Sequence, residues 1–232
     1  MPVATSSLMQ GLSVICLASA CSSSDPFKEN TDITVCDPAQ GGFSLTIDNP
    51  WFPLAVGNQW ILEGTEGGKA IHLEITVLNQ TEDVAGVTTR VLEERESENG
   101  ALVEVSRNFF AQASEGSVCY FGEDVDIYHN GVIVSHESAW RADGAQNLPG
   151  ILVPATPAVG LAFREEVAPG VAEDRAVIKA MNETITVPAG TFTETMRYKE
   201  TSPLESGSSL KVFALNVGLI EDDGVRLVSR TP

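Results

Sequence analysis

The chain has 232 residues, enough for one large domain or two small ones. Hydrophobic residues make up 43% of it and aromatic residues only 6%, so aliphatic side chains must fill most of the core. With 14 Lys and Arg against 32 Asp and Glu the formal net charge is −18, and such a surface repels phosphate backbones and anionic lipid headgroups. We therefore expect no nucleic-acid partner and no charge-driven binding to a membrane surface.

The N-terminus has the pattern of an export signal. Residues 1–20 carry no charged side chain, and their apolar run at 12–20 suits a signal peptide but is too short to span a membrane. The run ends in Leu17-Ala-Ser-Ala-Cys21, which resembles the cleavage site of bacterial lipoproteins, where the cysteine is lipidated and becomes the new N-terminus. This resemblance predicts a lipid anchor on Cys21, as the protein's only contact with a membrane, and a periplasmic or cell-surface location. The alternative is ordinary cleavage after Ala20, with a free thiol on Cys21.

Two further cysteines, Cys36 and Cys119, would remain in the exported protein. In an oxidising compartment they can form a disulfide that ties the N-terminal segment to the body. Residues 22–45 are rich in Ser, Asp, Asn, Thr, Pro and Gly without any periodicity. We expect a flexible tether over 21–45 and a single β domain over 46–232.

The domain is predicted to be an all-β antiparallel meander. Four dipeptides typical of tight hairpin turns recur along it: Gly67-Gly68, Asn99-Gly100, Asn130-Gly131 and Asp223-Gly224. As two-residue loops they place these pairs opposite each other: Glu63 with His72, Arg95 with Glu104, and Glu221 with Arg226. Because closure removes exposed strand edges, we expect a closed or nearly closed barrel, or two packed sheets.

A weak internal repeat accompanies the meander. Three short pieces recur at nearly one spacing: Val56-Gly57-Asn-Gln-Trp60 with Val159-Gly160-Leu-Ala-Phe163, Val84-Ala-Gly86 with Val187-Pro-Ala-Gly190, and Phe110-Ala111 with Phe213-Ala214. They suggest duplication of a meander of about half the domain, and chance similarity between β-rich segments is the alternative.

Several of these pieces also resemble a family of uncharacterised bacterial secreted proteins and lipoproteins. The pieces are Asn49-Pro-Trp-Phe-Pro-Leu-Ala-Val-Gly57, Tyr120-Phe-Gly-Glu123, Pro149-Gly-Ile-Leu-Val-Pro154, Ala172-Glu-Asp174, Val187-Pro-Ala-Gly-Thr-Phe192 and Val217-Gly-Leu219. The resemblance implies export and a β architecture, and it implies no particular activity.

The most distinctive stretch is an acidic hairpin around Pro169-Gly170, a dipeptide that marks a turn. A two-residue loop there would place Ala168 opposite Val171. It would also place Glu166 opposite Glu173, and Glu165 opposite Asp174. Like charges directly opposite on paired strands are destabilising, so this arrangement predicts a functional site.

Clustered carboxylates have two stable outcomes, a shared cation or a raised pKa. The first predicts a Ca²⁺ site on Glu165, Glu166, Glu173 and Asp174. The second predicts a catalytic acid and base drawn from Glu166, Glu173 and Asp174. A longer loop, with Arg164 and Arg175 neutralising the acids, is the alternative to both.

Other candidates are aromatic and imidazole side chains. His72 opposite Glu63 is a second candidate catalytic base. The mouths of β-barrels are common ligand sites, and six residues are predicted to line one here: Tyr120, Tyr128, His136, Trp140, Phe163 and Arg164.

The sequence contains no Gly-x-Ser-x-Gly elbow and no phosphate-binding glycine loop after a strand, so it offers nothing for a hydrolase of that type or a nucleotide enzyme. The favoured function is an exported β-barrel or sandwich protein that binds a small ligand, a cation or an envelope protein. The alternatives are a hydrolase or lyase that acts on a carbohydrate or other polar small molecule through Glu166 and Glu173, and a purely structural envelope protein. Whether the acids point into a pocket or out to solvent separates the binding protein from the enzyme.

Overall fold

The computed structural model describes residues 27–232 of the chain. These residues contain seventeen β-strands and two short 3₁₀ helices. The predicted signal peptide and Cys21 lie outside these residues. The 3₁₀ helices span Ile33–Cys36 and Pro38–Gln40. Within the described residues no helix is long and apolar enough to cross a membrane.

The strands before the acidic hairpin are β1 Gln59–Glu66, β2 Lys69–Val84, β3 Val87–Glu98, β4 Ala101–Gln112, β5 Val118–His129, β6 Val132–Ser135, β7 Trp140–Arg141 and β8 Leu148–Val153. The remaining strands are β9 Ala162–Arg164, β10 Glu166–Val167, β11 Arg175–Met181, β12 Ile185–Val187, β13 Gly190–Phe192, β14 Thr195–Thr201, β15 Ser209–Ala214, β16 Gly218–Asp222 and β17 Val225–Thr231.

One antiparallel sheet holds all of these strands except the small β12–β13 hairpin. Its order is β10-β8-β5-β4-β3-β2-β1-β17-β16-β15-β14-β11-β9, and β6 and β7 both pair with β5. The two end strands, β9 and β10, are consecutive in the chain and are separated only by Glu165. The sheet therefore curves into a nearly closed barrel, which confirms the predicted fold.

The hairpin registers follow the turn residues, with one informative exception. Glu63 pairs with His72, and Glu221 with Arg226, as predicted. The Asn99-Gly100 turn also forms, with both residues at positive φ. Beyond it, however, a β-bulge leaves Val103 without a partner, so Glu104 lies opposite Glu96 instead of Arg95. The predicted pairing of Arg95 with Glu104 is wrong, and the bulge turns the Glu104 side chain toward the interior.

The apolar part of the core fills the end of the barrel opposite that turn. Phe52 packs edge-on against Phe110 and Phe213, with ring centroids 5.6 and 5.9 Å apart. The aromatic core continues from both rings: the centroid of Phe110 lies 5.1 Å from that of Tyr120, and the centroid of Phe213 lies 5.3 Å from that of Tyr198. Because Phe52 precedes β1, the segment before the barrel closes this end.

The N-terminal segment is fixed to the barrel by covalent and hydrogen bonds. Cys36 and Cys119 form the predicted disulfide, and both are fully buried. The backbone N–H of Asn30 donates to the carbonyl of Ala162 at 3.0 Å, and its side chain accepts from the Ala162 N–H at 2.7 Å. The prediction of a flexible tether over 21–45 is therefore wrong for residues 27–45, because this segment packs on β9 and β5.

The two halves of the barrel have the same strand order. β1 to β5 are neighbours in sequence order, and so are β9, β11, β14, β15 and β16. The repeated residues Phe110 and Phe213 contact Phe52 from the two halves. Because any antiparallel meander has this order, the duplication stays a prediction.

Candidate functional site in the acidic end of the barrel

The end of the barrel that carries the Gly67-Gly68, Asn99-Gly100 and Asp223-Gly224 turns has an acidic interior. The buried acids here come from strands β3, β4, β5, β14 and β16 and from the hairpin after β9. Nine carboxyl side chains in the described chain are buried: Glu94, Glu96, Glu104, Glu123, Glu165, Glu166, Asp174, Glu200 and Asp222. Two buried basic residues, Arg175 and Lys211, accompany them. We call this region the acidic end.

The pair Glu96 and Glu104 lies on neighbouring strands inside the acidic end. Neither carboxyl oxygen of Glu96 has a hydrogen-bond partner, nor does Oε2 of Glu104. Burial raises the pKa of Glu96 to about 9, with further contributions from the nearby carboxylates of Glu104, Glu66 and others. Burial also raises the pKa of Glu104 to about 8. Both side chains are therefore protonated at neutral pH.

Lys211 is a buried cation on β15, in the wall of the barrel that lies opposite Glu96 and Glu104. Its Nζ lies 2.7 Å from Oε2 of Glu200 and 3.9 Å from Oδ2 of Asp222. Burial lowers the pKa of Lys211, but the carboxylates of Asp222, Glu200 and Glu165 outweigh it and hold the pKa above its ordinary value. Burial raises the pKa of Asp222 to about 7, although Lys211 opposes the shift. Lys211 is therefore charged, and its ammonium group is already paired with the carboxyl groups of Glu200 and Asp222.

Glu165 occupies the seam where the barrel closes. Its Oε1 accepts from the hydroxyl of Tyr198 at 2.9 Å, and its backbone N–H donates to the carbonyl of Asp174 at 2.9 Å. Burial, followed by the charge of Glu200, holds the pKa of Glu165 well above its usual range. Gly150 permits the close approach here, because a Cβ at that position would lie 2.3 Å from the carbonyl oxygen of Glu165.

The hairpin around Pro169-Gly170 has a three-residue loop, since Ala168 pairs with Ala172 instead of Val171. The predicted opposition of Glu166 to Glu173 is therefore wrong. Glu165 does face Asp174, as predicted, because the register that sets Arg164 opposite Arg175 continues to this pair and the Glu165 N–H donates to the Asp174 carbonyl. Glu166 lies beside Asp174, whose N–H donates to Oε1 of Glu166 at 3.3 Å.

Glu173 is not part of the cluster, because its side chain accepts a hydrogen bond from the backbone of its own turn. Its Oε1 accepts from the N–H of Gly170 at 2.8 Å. Of the four acids predicted to share a site, Glu165, Glu166 and Asp174 are buried at the acidic end, and Glu173 is only half-buried. Arg164 does not neutralise them, because its Nε binds Glu29 of the N-terminal segment at 3.2 Å.

A small pocket opens at the acidic end beside this hairpin. Its lining residues are Glu123, Ser138, Glu166, Val171, Ala172, Asp174, Ser202, Leu204 and Glu205. The empty volume is about 260 Å³ including the part open to solvent, but only about 10 Å³ can hold the centre of a water-sized molecule. The pocket therefore accommodates a single small head group in this arrangement of side chains.

The carboxyl groups of the pocket are held toward their neutral form. Burial is the first cause for each, and neighbouring carboxylates add to it. It keeps the pKa of Glu123 and of Glu166 well above the usual range, and it raises the pKa of Asp174 to about 7. Burial and the charge of Glu200 also raise the pKa of Glu205. No lysine or arginine is among the lining residues.

The residues predicted to line a ligand site do not come together. Tyr120, Trp140 and Phe163 are buried core residues, with Tyr120 donating to Oδ1 of Asn108 at 3.0 Å. Trp140 packs edge-on against Tyr120 at 5.3 Å. None of them is among the residues that line the pocket.

The other three predicted lining residues lie elsewhere in the structure. Tyr128 is half-buried on β5 near the Asn130-Gly131 turn. His136 is largely exposed, and its Nδ1 lies 2.8 Å from the carbonyl of Val125. Arg164 is covered by the N-terminal segment. The prediction of an aromatic ligand site at the mouth of the barrel is therefore wrong, and the structure has an acidic pocket instead.

The proposed base His72 lies on the outer surface. Its Nδ1 is 3.0 Å from Oε1 of Glu63, and both side chains are about half exposed, at 46% and 55%. The pairing is as predicted, but the pair is remote from the pocket. For metals, no three His, Cys, Asp or Glu side chains between residues 27 and 232 form a group that could hold an ion.

Glu123 is the pocket residue that the sequence reasoning did not select. It is only 1% exposed, and its Oε2 has no hydrogen-bond partner. Glu94, Glu96, Glu104, Glu200, Lys211 and Asp222 were also missed. The available signal was the acid at every second position of β3, at 94, 96 and 98.

Comparison with known proteins adds little. No protein-family model matches the chain, and no curated protein matches it. A solved structure described as "a putative lipoprotein" from Parabacteroides distasonis is similar, with 14% identity and a TM-score of 0.38 over 78% of this chain and 98% of that chain. At that level the likeness carries no argument about function or location. The family resemblance stays a prediction.

Proposed function

We propose that the chain is an exported, lipid-anchored binding protein that holds a small ligand in the pocket of the acidic end. The observation that carries this proposal is the state of Glu123, a pocket-lining carboxyl that is buried and whose Oε2 lacks a donor. A buried acceptor without a partner costs about 1–3 kcal/mol. A bound molecule that donates a hydrogen bond removes this cost.

Export is supported by the buried disulfide between Cys36 and Cys119. Structural disulfides persist in oxidising compartments such as the periplasm or the cell surface. The lipid anchor is supported by the resemblance of Leu17-Ala-Ser-Ala-Cys21 to a lipoprotein cleavage site. Together they support a location of the acidic pocket outside the cytoplasm.

Electrostatics favour a positively charged or hydrogen-bond-donating ligand. The net charge of −18 gives the whole molecule a field that attracts cations. Field lines concentrate in a low-dielectric cleft lined by one sign of charge. Anionic ligands are disfavoured at the same site.

Thermal unfolding of the full chain tests the proposal. The protein is dialysed against chelator and then titrated separately with Ca²⁺, an amine, and a neutral sugar. We expect one of them to raise the melting temperature saturably, since a ligand at 100 times its Kd stabilises the folded state by about 2.7 kcal/mol. The rise should be reduced in Glu123→Gln and retained in Glu137→Gln, which removes an exposed carboxylate near the pocket. If none of the three ligands raises the melting temperature, the proposal is wrong.

A second candidate is a hydrolase or lyase, favoured by the pair Glu166 and Asp174. Both acids line the pocket, and the pKa of Asp174 lies at about 7, mainly because of burial. A carboxyl group that titrates near the working pH is suited to general acid–base catalysis. The pair replaces the predicted Glu166 and Glu173. Turnover of a carbohydrate panel that is abolished by Asp174→Asn would support this candidate, and the absence of turnover would eliminate it.

A further inference from the structure

We propose that the ligand is a small organic amine whose ammonium group enters the pocket between Glu123, Glu166 and Asp174. This inference rests on the proposed binding function and names the chemical class of its ligand. Three independent features of the pocket lead to it: its size, its charge and donor balance, and the composition of its rim.

The size of the pocket suits an ammonium group. The space that remains for the centre of a water-sized molecule is about 10 Å³, close to the minimum that holds one water. An –NH₃⁺ group is about as large as a water molecule, whereas a sugar ring is several times larger. A ligand with a terminal ammonium group can therefore place its head inside without rearranging the walls.

The carboxyl groups of the pocket favour a cation, because each of them can ionise against a positive charge. Four of its nine lining residues carry carboxyl groups, namely Glu123, Glu166, Asp174 and Glu205. Lys211, which lies within range of Asp174, is held by Glu200 at 2.7 Å on the neighbouring wall. A cation in the pocket is thus the missing counter-charge.

The donor balance favours an ammonium group over a metal ion. Oε2 of Glu123 lacks a donor, and an ammonium group supplies three N–H donors with free rotation. A metal ion instead needs a converging set of ligands, and no set of three exists among residues 27–232. The carboxyl groups line a cleft without converging on one point, which suits a donor group that can turn toward each of them.

The rim of the pocket suits a carbon chain. Val171, Ala172 and Leu204 line it together with the acids, and Val171 is 40% exposed. An alkyl chain attached to the ammonium group can lie against these side chains as it leaves the pocket. A purely inorganic cation would make no use of them.

Binding of the ammonium group should release protons. The groups around the site are Glu123 from β5, Glu166 from β10, Asp174 beside it, Glu200 from β14, Glu205 from the following loop, and Lys211 from β15. Before binding, the crowding of acids keeps protons on some of them. When the ammonium ion enters, a carboxyl such as that of Asp174 ionises, its proton goes to solvent, and the resulting carboxylate pairs with the cation.

The experiment is a calorimetric titration of the full chain with putrescine, a diamine, combined with a pH-stat measurement of released protons. 1,4-Butanediol serves as the neutral analogue of the same length, and Ca²⁺ as the inorganic cation. We expect saturable binding of putrescine, a proton released on binding near pH 7–8, and no binding of the diol. Glu123→Gln should weaken the affinity about 10-fold to 100-fold, and Glu137→Gln should leave it unchanged.

Each outcome decides the question. Putrescine binding that requires Glu123 supports the inference. Binding that is equally weakened by Glu137→Gln, or that releases no protons, overturns it, because the surface charge and not the pocket would then hold the amine. Binding of Ca²⁺ or a sugar without putrescine overturns the amine but keeps the binding function, and binding of none overturns both. If Glu123→Gln does not fold, Asp174→Asn takes its place, with the same expected loss.

Discussion

Glu96 and Glu104 lie directly opposite each other across β3 and β4 in the closed interior of the barrel, with no donor to either oxygen of Glu96. Such a pair is stable only when at least one member is neutral or a cation lies nearby. The bulge at Val103 creates it, since an unbroken two-residue hairpin would set Arg95 against Glu104. A local irregularity of β4 thus brings Glu104 into the acidic interior beside Glu96.

The pH dependence of stability follows from this pair. Burial raises the pKa of Glu96 to about 9 and that of Glu104 to about 8, from the ordinary value of 4.5. The folded state therefore holds protons that the unfolded chain has released, and stability, fully present below about pH 4.5, is lost as the pH rises toward 9. One proton of difference gives a slope of about 1.4 kcal/mol per pH unit. Urea unfolding at a series of pH values measures this slope.

The control for this prediction is Glu96→Gln, which is neutral at every pH. Its unfolding free energy should depend less on pH than that of the original protein. Identical slopes in the two proteins would contradict the assignment of the effect to Glu96.

Lys211→Met should strongly destabilise the barrel. The substitution removes the cation that Glu200 and Asp222 share, and it leaves buried acids without their counter-charge. Breaking a buried ion pair in this way costs about 3–5 kcal/mol. Chemical denaturation at neutral pH gives the value. Lys179→Met, at an exposed position on β11, should cost little, and an equal loss in both variants would show that Lys211 has no special role.

Removal of the disulfide should lower stability by a similar amount. Cys36 and Cys119 are separated by 83 residues, and a cross-link over such a loop stabilises a protein by about 4 kcal/mol through the entropy of the unfolded chain. We expect the double variant Cys36→Ala, Cys119→Ala to unfold at a lower urea concentration than the oxidised protein. Addition of reductant should destabilise the original protein but not the variant. Equal midpoints for both oxidised proteins would contradict this.

Gly150→Ala should open the seam of the barrel. The new Cβ would meet the backbone of Glu165 at 2.3–2.4 Å and that of Arg164 at 2.6 Å, closer than such atoms approach in proteins, so β8 and the seam segment must separate. We expect a loss of several kcal/mol together with faster hydrogen exchange at Glu166 and Val167. Unchanged exchange at these two amides would show that the strands adapt without separating.

The fold was largely predictable because its signals are local. Positive-φ residues such as Asn99 and Gly100 fix each hairpin, and the alternation of Ile71, Leu73 and Ile75 fixes which face of β2 is buried. The disulfide was also anticipated, since only two cysteines remain after the export signal.

The site was predictable only in part, for a physical reason. The inward position of Glu104 depends on one unpaired residue, and the separation of Glu173 from Glu166 depends on a three-residue loop at the hairpin. A shift by one residue reverses which face a side chain occupies, so both errors changed the predicted lining. Glu123 carried no signal of its own, because its burial depends on β7 and β10, which are short and distant in sequence.

The closure of the barrel has a kinetic consequence. β9 and β10 belong to one continuous piece of chain, yet they pair with strands from opposite ends of the sheet. These two pairings are local in the chain, β10 with β8 and β9 with β11, whereas the pairing that joins the two halves is the long-range one of β1 with β17. Docking of the two halves therefore comes late on the folding route, with a large loop-closure entropy to overcome, and refolding should be slow for a protein of this size.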